Sequence, residues 1–295
     1  VFTREKLDLL HVPHLNAPLA YRGKLVITIH DLIKHYSVGP RTSTLPAWQY
    51  ALKHLGYKAT VARNVSAATA IITPTQYTKS QLIDTFHLAP DKITVTYEAV
   101  DHSLVRPKKI TPSILNKYQL QKPYIIYTGN LYPHKNVQTL VKAVNLFNQT
   151  HRLKLTLALI FGRSVFTDRF TASEYLRPLG FVSDEDMAQI YSQGICLVQP
   201  SFIEGFGLTG LEAMAVGLPV ISSSASCLPE VYQDAALYFD PYSYKDLSDK
   251  LHDLTVNKSL RDNLIKEGYN QVKLYSWKKT AQQTLSVYKN VADVY

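Results

Sequence analysis

The sequence predicts an α/β protein made of two doubly wound units, each built on a parallel sheet. Short apolar runs of strand length alternate with stretches of helical spacing, the pattern of repeated β-α-β units. One such unit stands out: the apolar run Ile195–Val198, a loop containing Glu204–Gly207, a short helix, and a second apolar run Leu218–Ile221. A chain of 295 residues is also long enough for two domains of ordinary size.

In chain order, Leu7–Val12 and Leu25–Ile29 read as buried parallel strands, ending in His11-Val12-Pro13-His14 and in His30-Asp31. Ligands of open α/β sheets lie beyond the strand carboxyl ends, so both histidine clusters fall where a substrate would sit. A helix over about 45–68, a strand Ala70–Thr73, a helix over 76–86 begun by Thr75, and a strand Ile93–Tyr97 follow. On its own, His30 fits a structural histidine bonded to backbone as well as a catalytic one, and Asp31 fits a turn cap. Pro107, Pro112 and Pro123, with the basic cluster Arg106–Lys109, mark a connection between lobes and put the boundary near 105/106.

The second unit opens on the buried strand Tyr124–Thr128 and the loop Gly129-Asn130-Leu131-Tyr132-Pro133-His134-Lys135-Asn136. A helix with Val137, Leu140, Val141 and Val144 at helical spacing follows. Lys135 is a compact charge suited to a diphosphate; without its neighbours it reads as a surface lysine. Leu155–Phe161 is a strand that leads to Gly162 and Arg163, and Ser183 caps a helix with acidic residues in its first turn. After Asp240-Pro241 the pattern is helical and amphipathic over about 244–254, 258–273 and 276–291.

The loop after Ile195–Val198 carries the ligand signal. Gly205 and Gly207 allow close backbone approach, and the free N–H groups and positive dipole end of the following helix seat a phosphate or diphosphate. Glu204 and Glu212, eight positions apart, fall on a similar helix face and suit hydroxyls of a sugar or ribose better than phosphate. The plainer alternative is a turn glycine pair with Glu212 on a solvated face.

With 46% hydrophobic and 19% charged residues, the composition is that of a globular protein. The longest apolar runs have strand length, so no membrane span is expected. Cys196 and Cys227 lack partners at metal-ligand spacing and suggest a reducing compartment. The formal charge of +9 and pI near 9.3 favour an acidic partner. Lys and Arg are scattered without an aromatic-basic cluster, which argues against nucleic acid and leaves a solvated surface first and attraction to an anionic membrane second.

From Pro200-Ser201 through Glu204-Gly205-Phe206-Gly207, Glu212-Ala213-Met214, Gly217-Leu218-Pro219-Val220-Ile221, Leu228-Pro229-Glu230-Val231 and Asp234-Ala235-Ala236 to Asp240-Pro241, the chain resembles the retaining glycosyltransferases of family 4. That family includes enzymes of the mannosyltransferase and glycogen-synthase type. The resemblance covers most of the chain and implies the GT-B architecture, two Rossmann-like domains with parallel sheets facing a central cleft. It further implies that the first domain is incomplete at its N-terminus, with several elements missing before Leu7. The last helix, 276–295, would return to the first domain through Trp277, Tyr288 and Tyr295.

The same resemblance implies transfer of a hexose of mannose or glucose type from a nucleotide-diphosphate sugar to a glycan, lipid or small-molecule acceptor, with retention and no metal or other cofactor. Lys135 would neutralise the leaving diphosphate together with the Gly205, Phe206, Gly207 and Leu208 backbone. Glu204 would hold donor-sugar hydroxyls, Glu212 the ribose, and backbone at Val182 the base. His30 would sit beside the sugar. Gly129 and Asn130 line the same loop. His134 occupies a slot where many members carry Arg, which leaves the second cation to a protonated His134 or to Arg163. The expected setting, from the cysteines and the charge, is the cytoplasm, with the inner membrane face as the variant. A nucleotide-sugar epimerase or hydrolase, and a non-catalytic nucleotide-sugar binder, are the competing readings.

Overall fold

The computed structural model describes residues 7–39, 42–43, 45–101, 111, 113–162, 166, 170 and 174–292. The chain divides into two compact units, Val1–Glu98 with Ser276–Tyr295, and Ala99–Tyr275. Pro107, Arg106–Lys109, Pro112, Arg163 and Tyr295 lie outside the described residues.

Unit 1 is a four-stranded parallel sheet in sequential order: β1 (Leu10–Val12), β2 (Leu25–Thr28), β3 (Ala70–Thr73) and β4 (Ile93–Val95). Ile27 pairs with Ile71, and Ile72 with Thr94. Side chains alternate across the pleat. Leu25, Ile27 and Ile71 face a core shared with Leu32, with Val61 and Val65 of α2 (Ala47–Ala67) and with Leu82 of α3 (Gln76–Phe86). Val26 and Ile72 face the other way and meet Val287, Val291 and Tyr288 of the last helix, α11 (Trp277–Ala292). Trp277 is 49% exposed, so the aliphatic residues two to four turns on, not the indole, anchor that helix. Thr75 caps α3 by accepting from Thr78 N at 3.1 Å. α1 is a short turn at Ile33–Tyr36, with Asp31 Oδ1 accepting from Ile33 N at 2.8 Å.

Two expectations need correction here. The first strand begins at Leu10 and not Leu7, so His11 lies inside β1 and not in the loop beyond it. Its ring is fully engaged, Nδ1 with Tyr288 Oη at 2.5 Å and Nε2 with Thr28 Oγ1 at 2.8 Å. Burial pushes its pKa down, which leaves a neutral imidazole fastening α11 to the sheet.

Unit 2 is a six-stranded parallel sheet in the order β10-β9-β8-β5-β6-β7, with β5 Tyr124–Thr128, β6 Thr156–Ile160, β7 Leu176–Gly180, β8 Leu197–Gln199, β9 Val220–Ser223 and β10 Ala236–Phe239. α4 (Ser113–Lys117) precedes β5, and α5 (Val137–Thr150), α6 (Asp184–Tyr191), α7 (Leu208–Ala215), α8 (Leu228–Tyr232), α9 (Tyr244–Val256) and α10 (Lys258–Val272) follow in turn. Strands buried on both faces read as continuous apolar runs, as in Ile125-Ile126-Tyr127 and Leu157-Ala158-Leu159. The strand after α7 starts at Val220 because the helix closes through a left-handed Gly217 (φ +77°) and Leu218 N donates back to Ala213 O at 2.9 Å. Among the described residues no helix is long and apolar enough to cross a membrane.

Candidate functional site

The strand order of unit 2 reverses direction at β5. From that strand the chain first builds outward through β6 and β7, then returns to place β8, β9 and β10 on its other side. Such a switch point leaves a crevice at the carboxyl ends of the two neighbouring strands, where helices splay to opposite faces. The loops leaving β5 and β8 carry Lys135 and Glu204.

The β5 loop is folded by its own residues. Gly129 has φ +152°, and a Cβ there would lie 3.0 Å from Tyr127 Oη, the hydroxyl that donates to Asn130 O. The 3-10 turn Pro133–Lys135 ends at Asn136, which adopts the left-handed conformation (φ +55°) that Asn tolerates better than most residues. Buried Asn136 donates from Nδ2 to Pro200 O at 2.9 Å and to Pro241 O at 2.8 Å, and Phe202 N donates to His134 O at 2.8 Å. The loops after β5, β8 and β10 are thereby locked together.

Within that framework, Lys135 Nζ donates to both oxygens of Glu204, at 2.7 and 2.8 Å. Glu204 is 7% exposed. Its Oε1 also accepts from Ser201 Oγ at 2.6 Å and Gln199 Nε2 at 3.2 Å. Burial pushes its carboxyl pKa up, but the Lys135 charge and the hydrogen bonds from Lys135, Ser201 and Gln199 more than offset this, so it stays an ionised carboxylate. Two of the three ammonium hydrogens of Lys135 are spent on Glu204, and no further acceptor for the third is found among the described residues.

The β8 loop is held from beneath. Ser226 Oγ accepts from Glu204 N at 3.0 Å, and Cys227 Sγ donates to Glu204 O at 3.3 Å. Cys227 is buried, and burial raises its thiol pKa well above the usual range. Gly207 has φ +100° and begins α7 with no side-chain cap. A Cβ at Gly207 would sit 2.5 Å from Tyr232 Oη and 2.8 Å from Leu228 Cδ2. This glycine therefore serves the turn and the close approach of Tyr232, whose hydroxyl oxygen lies 2.5 Å from both Gly207 O and Gln199 Oε1 and shares its one proton between these acceptors. Phe206 is buried edge-on to Tyr275 at 5.5 Å between ring centroids.

Glu212 lies on α7, half-buried, with no ion-pair partner among the described residues. Burial, and then the nearby charge of Asp184, push its pKa up. Val182 is buried just past β7, beyond a left-handed Gly180. Asn130 Oδ1 accepts from Tyr132 N at 3.2 Å, and the His134 ring stacks on Tyr132 at 6.0 Å. Unit 2 thus brings Lys135, His134 and Glu204 together, with Gly205–Leu208 continuing the Glu204 loop. Arg163 lies outside the described residues.

In unit 1, His30 follows β2 and is an exposed residue whose Nδ1 is 2.8 Å from Glu98 Oε1. The hydrogen bond with Glu98 raises its pKa; burial works against this, and the charges of Glu98 and Asp31 with the Pro13 backbone add to the rise. The sequence does not single out Gln199, Ser226, Tyr232 and Glu98, and it presents Asn136 and Ser201 only as members of motifs, with no role. The available signal was a polar residue at the end of an apolar strand, as with Gln199 after Leu197-Val198.

Two parallel sheets, one with Rossmann strand order, define the fold class as GT-B. The sucrose-phosphate synthase of Thermosynechococcus elongatus superposes with a TM-score of 0.78 at 18% identity, covering 100% of this chain and 76% of that one. Anabaena HepE, solved in complex with UDP-glucose, superposes with a TM-score of 0.74 at 17% identity, covering 99% and 80%. Glycosyl transferases group 1 is matched over residues 113–271, and Glycosyltransferase Family 4 over residues 1–104. The chain belongs to this glycosyltransferase family. It is 33% identical over 236 residues to the O-antigen chain mannosyltransferase B of Escherichia coli, covering 77% of this chain and 62% of that protein. It is 27% identical over 251 residues to the D-inositol 3-phosphate glycosyltransferase of a Nocardioides strain, covering 76% and 54%. The chain therefore spans somewhat over half the length of these relatives.

Proposed function

We propose that the protein transfers a hexose of mannose or glucose type from a nucleotide-diphosphate sugar to a glycan or lipid-linked acceptor, with retention at the anomeric carbon. The observation that carries this reading is the Lys135–Glu204 pair, held between the loops that leave β5 and β8 at the sheet's switch point. In the bound state the remaining ammonium hydrogen of Lys135 reaches a phosphate oxygen, and the Gly205–Leu208 backbone offers further N–H donors at the positive end of α7. Glu204, kept ionised, accepts from sugar hydroxyls, and Glu212 accepts from the ribose. The carbon–oxygen bond to the diphosphate breaks, the acceptor hydroxyl oxygen bonds to the same carbon, and its proton passes to the departing nucleoside diphosphate, whose charge Lys135 and the backbone dipoles offset.

Orienting the substrates and stabilising that charge are what these residues supply; none of them needs to form a covalent bond to substrate. His30 stands on unit 1 as a histidine held towards its protonated form by Glu98, suited to a donated hydrogen bond at the sugar. The two buried free cysteines fit a cytoplasmic setting. The mannosyltransferase relative supports a hexose donor. A panel of UDP, GDP and ADP hexoses screened by thermal shift identifies the donor. Product analysis then reads the outcome: a glycoside of the acceptor with the donor's anomeric configuration supports the proposal. An epimerised sugar nucleotide formed without acceptor, or an inverted product, overturns it.

A further inference from the structure

α2 turns only its second half toward the core. Val61, Asn64 and Val65 are buried, and Asn64 Nδ2 donates to Leu15 O at 2.9 Å and Ala17 O at 3.2 Å. No residue between Ala47 and Thr60 is buried, yet the side facing away from the core is apolar. Trp48, Leu52 and Leu55 are 69%, 67% and 65% exposed. Spacings of four and three residues put them on one face, and at about 100° per residue Ala59 and Ala62 prolong the stripe, while Val61 and Asn64 fall opposite it. Lys58 and Arg63 border the stripe, one on each side.

The helix itself carries charge of one sign, Lys53, Lys58 and Arg63 with no carboxylate, although Asp31 is near enough to act on Tyr57 on its other face. Between Asp31 and Asp84 the sequence contains no carboxylate residue, while Lys34, Arg41, Lys53, Lys58, Arg63 and Lys79 all fall in that interval. Unit 1 holds 14 Lys and Arg against 7 Asp and Glu, so +7 of the formal +9 lies on it. A helix with a Trp/Leu stripe, a cationic border and no acidic residue has the chemistry of a segment that lies in a lipid–water interface. A second copy of the chain fits poorly, because a symmetric contact would set Lys58 and Arg63 against their own kind with no carboxylate on the helix to answer them.

We propose that the N-terminal half of α2 rests unit 1 on an anionic lipid surface. Trp48, Leu52 and Leu55 enter the headgroup boundary, and Lys58 and Arg63 lie against lipid phosphates. Nothing in this depends on which sugar, if any, the protein transfers.

Cosedimentation of the full chain with phosphatidylcholine vesicles, and with vesicles of phosphatidylcholine mixed with phosphatidylglycerol, tests it without any sugar nucleotide. The chain has two tryptophans, so a Trp277→Phe variant makes Trp48 the sole indole reporter. Binding to the mixed vesicles with a blue shift of Trp48 emission is expected, with little binding to the neutral ones. A Leu52→Ser/Leu55→Ser variant should bind at least about tenfold more weakly. A Lys58→Gln/Arg63→Gln variant should lose about fivefold per cation. The proposal is overturned if mixed vesicles leave the protein in the supernatant with Trp48 emission unshifted. It is also overturned if the double serine variant, folded by circular dichroism, binds as well as the parent. A dimer that this variant converts to monomer would likewise overturn it, by assigning the stripe to self-association.

Discussion

Replacing Lys135 with alanine removes the cation from a carboxylate that is 7% exposed. Losing one partner of a buried ion pair costs ~3–5 kcal/mol, because the remaining charge is left without compensation. Ser201 Oγ and Gln199 Nε2 still donate to Glu204 Oε1, which places this case at the lower end, about 3 kcal/mol. For a unit of this size that corresponds to a fall in Tm of roughly 6–12 °C. Glu204→Gln should cost less, about 1–2 kcal/mol, because the Lys135 side chain is 17% exposed and its ammonium can regain water.

The pH dependence gives a second, independent reading. In the parent the Glu204 pKa is lowered by folding, so its contribution is present above the ordinary carboxylate range and is lost as pH falls through the lowered value. Without Lys135, burial dominates and the folded-state pKa rises above the unfolded one. The variant's penalty then grows as pH climbs past about 4 and is full at pH 7. Urea unfolding of parent and variant at pH 7 and near pH 4.5 should show a wide gap at the first and a narrower one at the second. A gap of equal size at both pH values, or Lys135→Ala no less stable than Glu204→Gln, would mean that the pair is not a buried, mutually dependent one.

Other substitutions probe the framework of the site. Gly207→Ala combines a left-handed backbone with a Cβ 2.5 Å from Tyr232 Oη, and should destabilise by roughly 2–5 kcal/mol, measured by denaturant unfolding. Asn136→Ala leaves Pro200 O and Pro241 O without their donor and should cost about 2–4 kcal/mol by the same measurement, whereas an exposed asparagine would cost almost nothing. Glu98→Gln should lower the His30 pKa, read from its Cε1–H shift in an NMR titration; an unchanged pKa would show that Glu98 does not hold the proton there. Because that pKa is raised by folding, the contact contributes most at acidic pH and fades as pH rises through the raised value.

The alternation of apolar runs with helical spacings made the four strands of unit 1 and β5, β6, β8 and β9 of unit 2 legible, whereas β7, with Arg177 and Pro178 and only Leu176 buried, and β10, buried only at its two ends, lack the continuous buried run that marks such a strand. Thr75 and Ser183 marked two helix starts because their side chains accept from backbone N–H three residues on. Strand ends were less legible. Leu218 has the same apolar character in a helix-closing turn as in a strand, and only the left-handed Gly217 distinguishes them. His11 and His30 look alike in sequence, yet one is consumed by Tyr288 and Thr28 while the other stays exposed beside Glu98. Partners 277 or 68 residues away cannot be read from local pattern. The Lys135–Glu204 contact was equally hidden: each residue was legible as a ligand-facing group, but a pairing across 69 residues depends on the strand order. Gly207 carries a second lesson, because a glycine placed for ligand approach also makes room for the Tyr232 ring.

Calorimetric titration of the chain with nucleoside diphosphates and their hexose conjugates, beside Lys135→Ala at a temperature where circular dichroism finds that variant folded, addresses the diphosphate seat itself. Saturable binding by the parent that falls at least about tenfold in the variant is the expected result, the loss of one charge-assisted phosphate contact. Binding of equal strength in both proteins, or no binding of any sugar nucleotide by the parent, would contradict a diphosphate site at Lys135 and the Gly205–Leu208 turn.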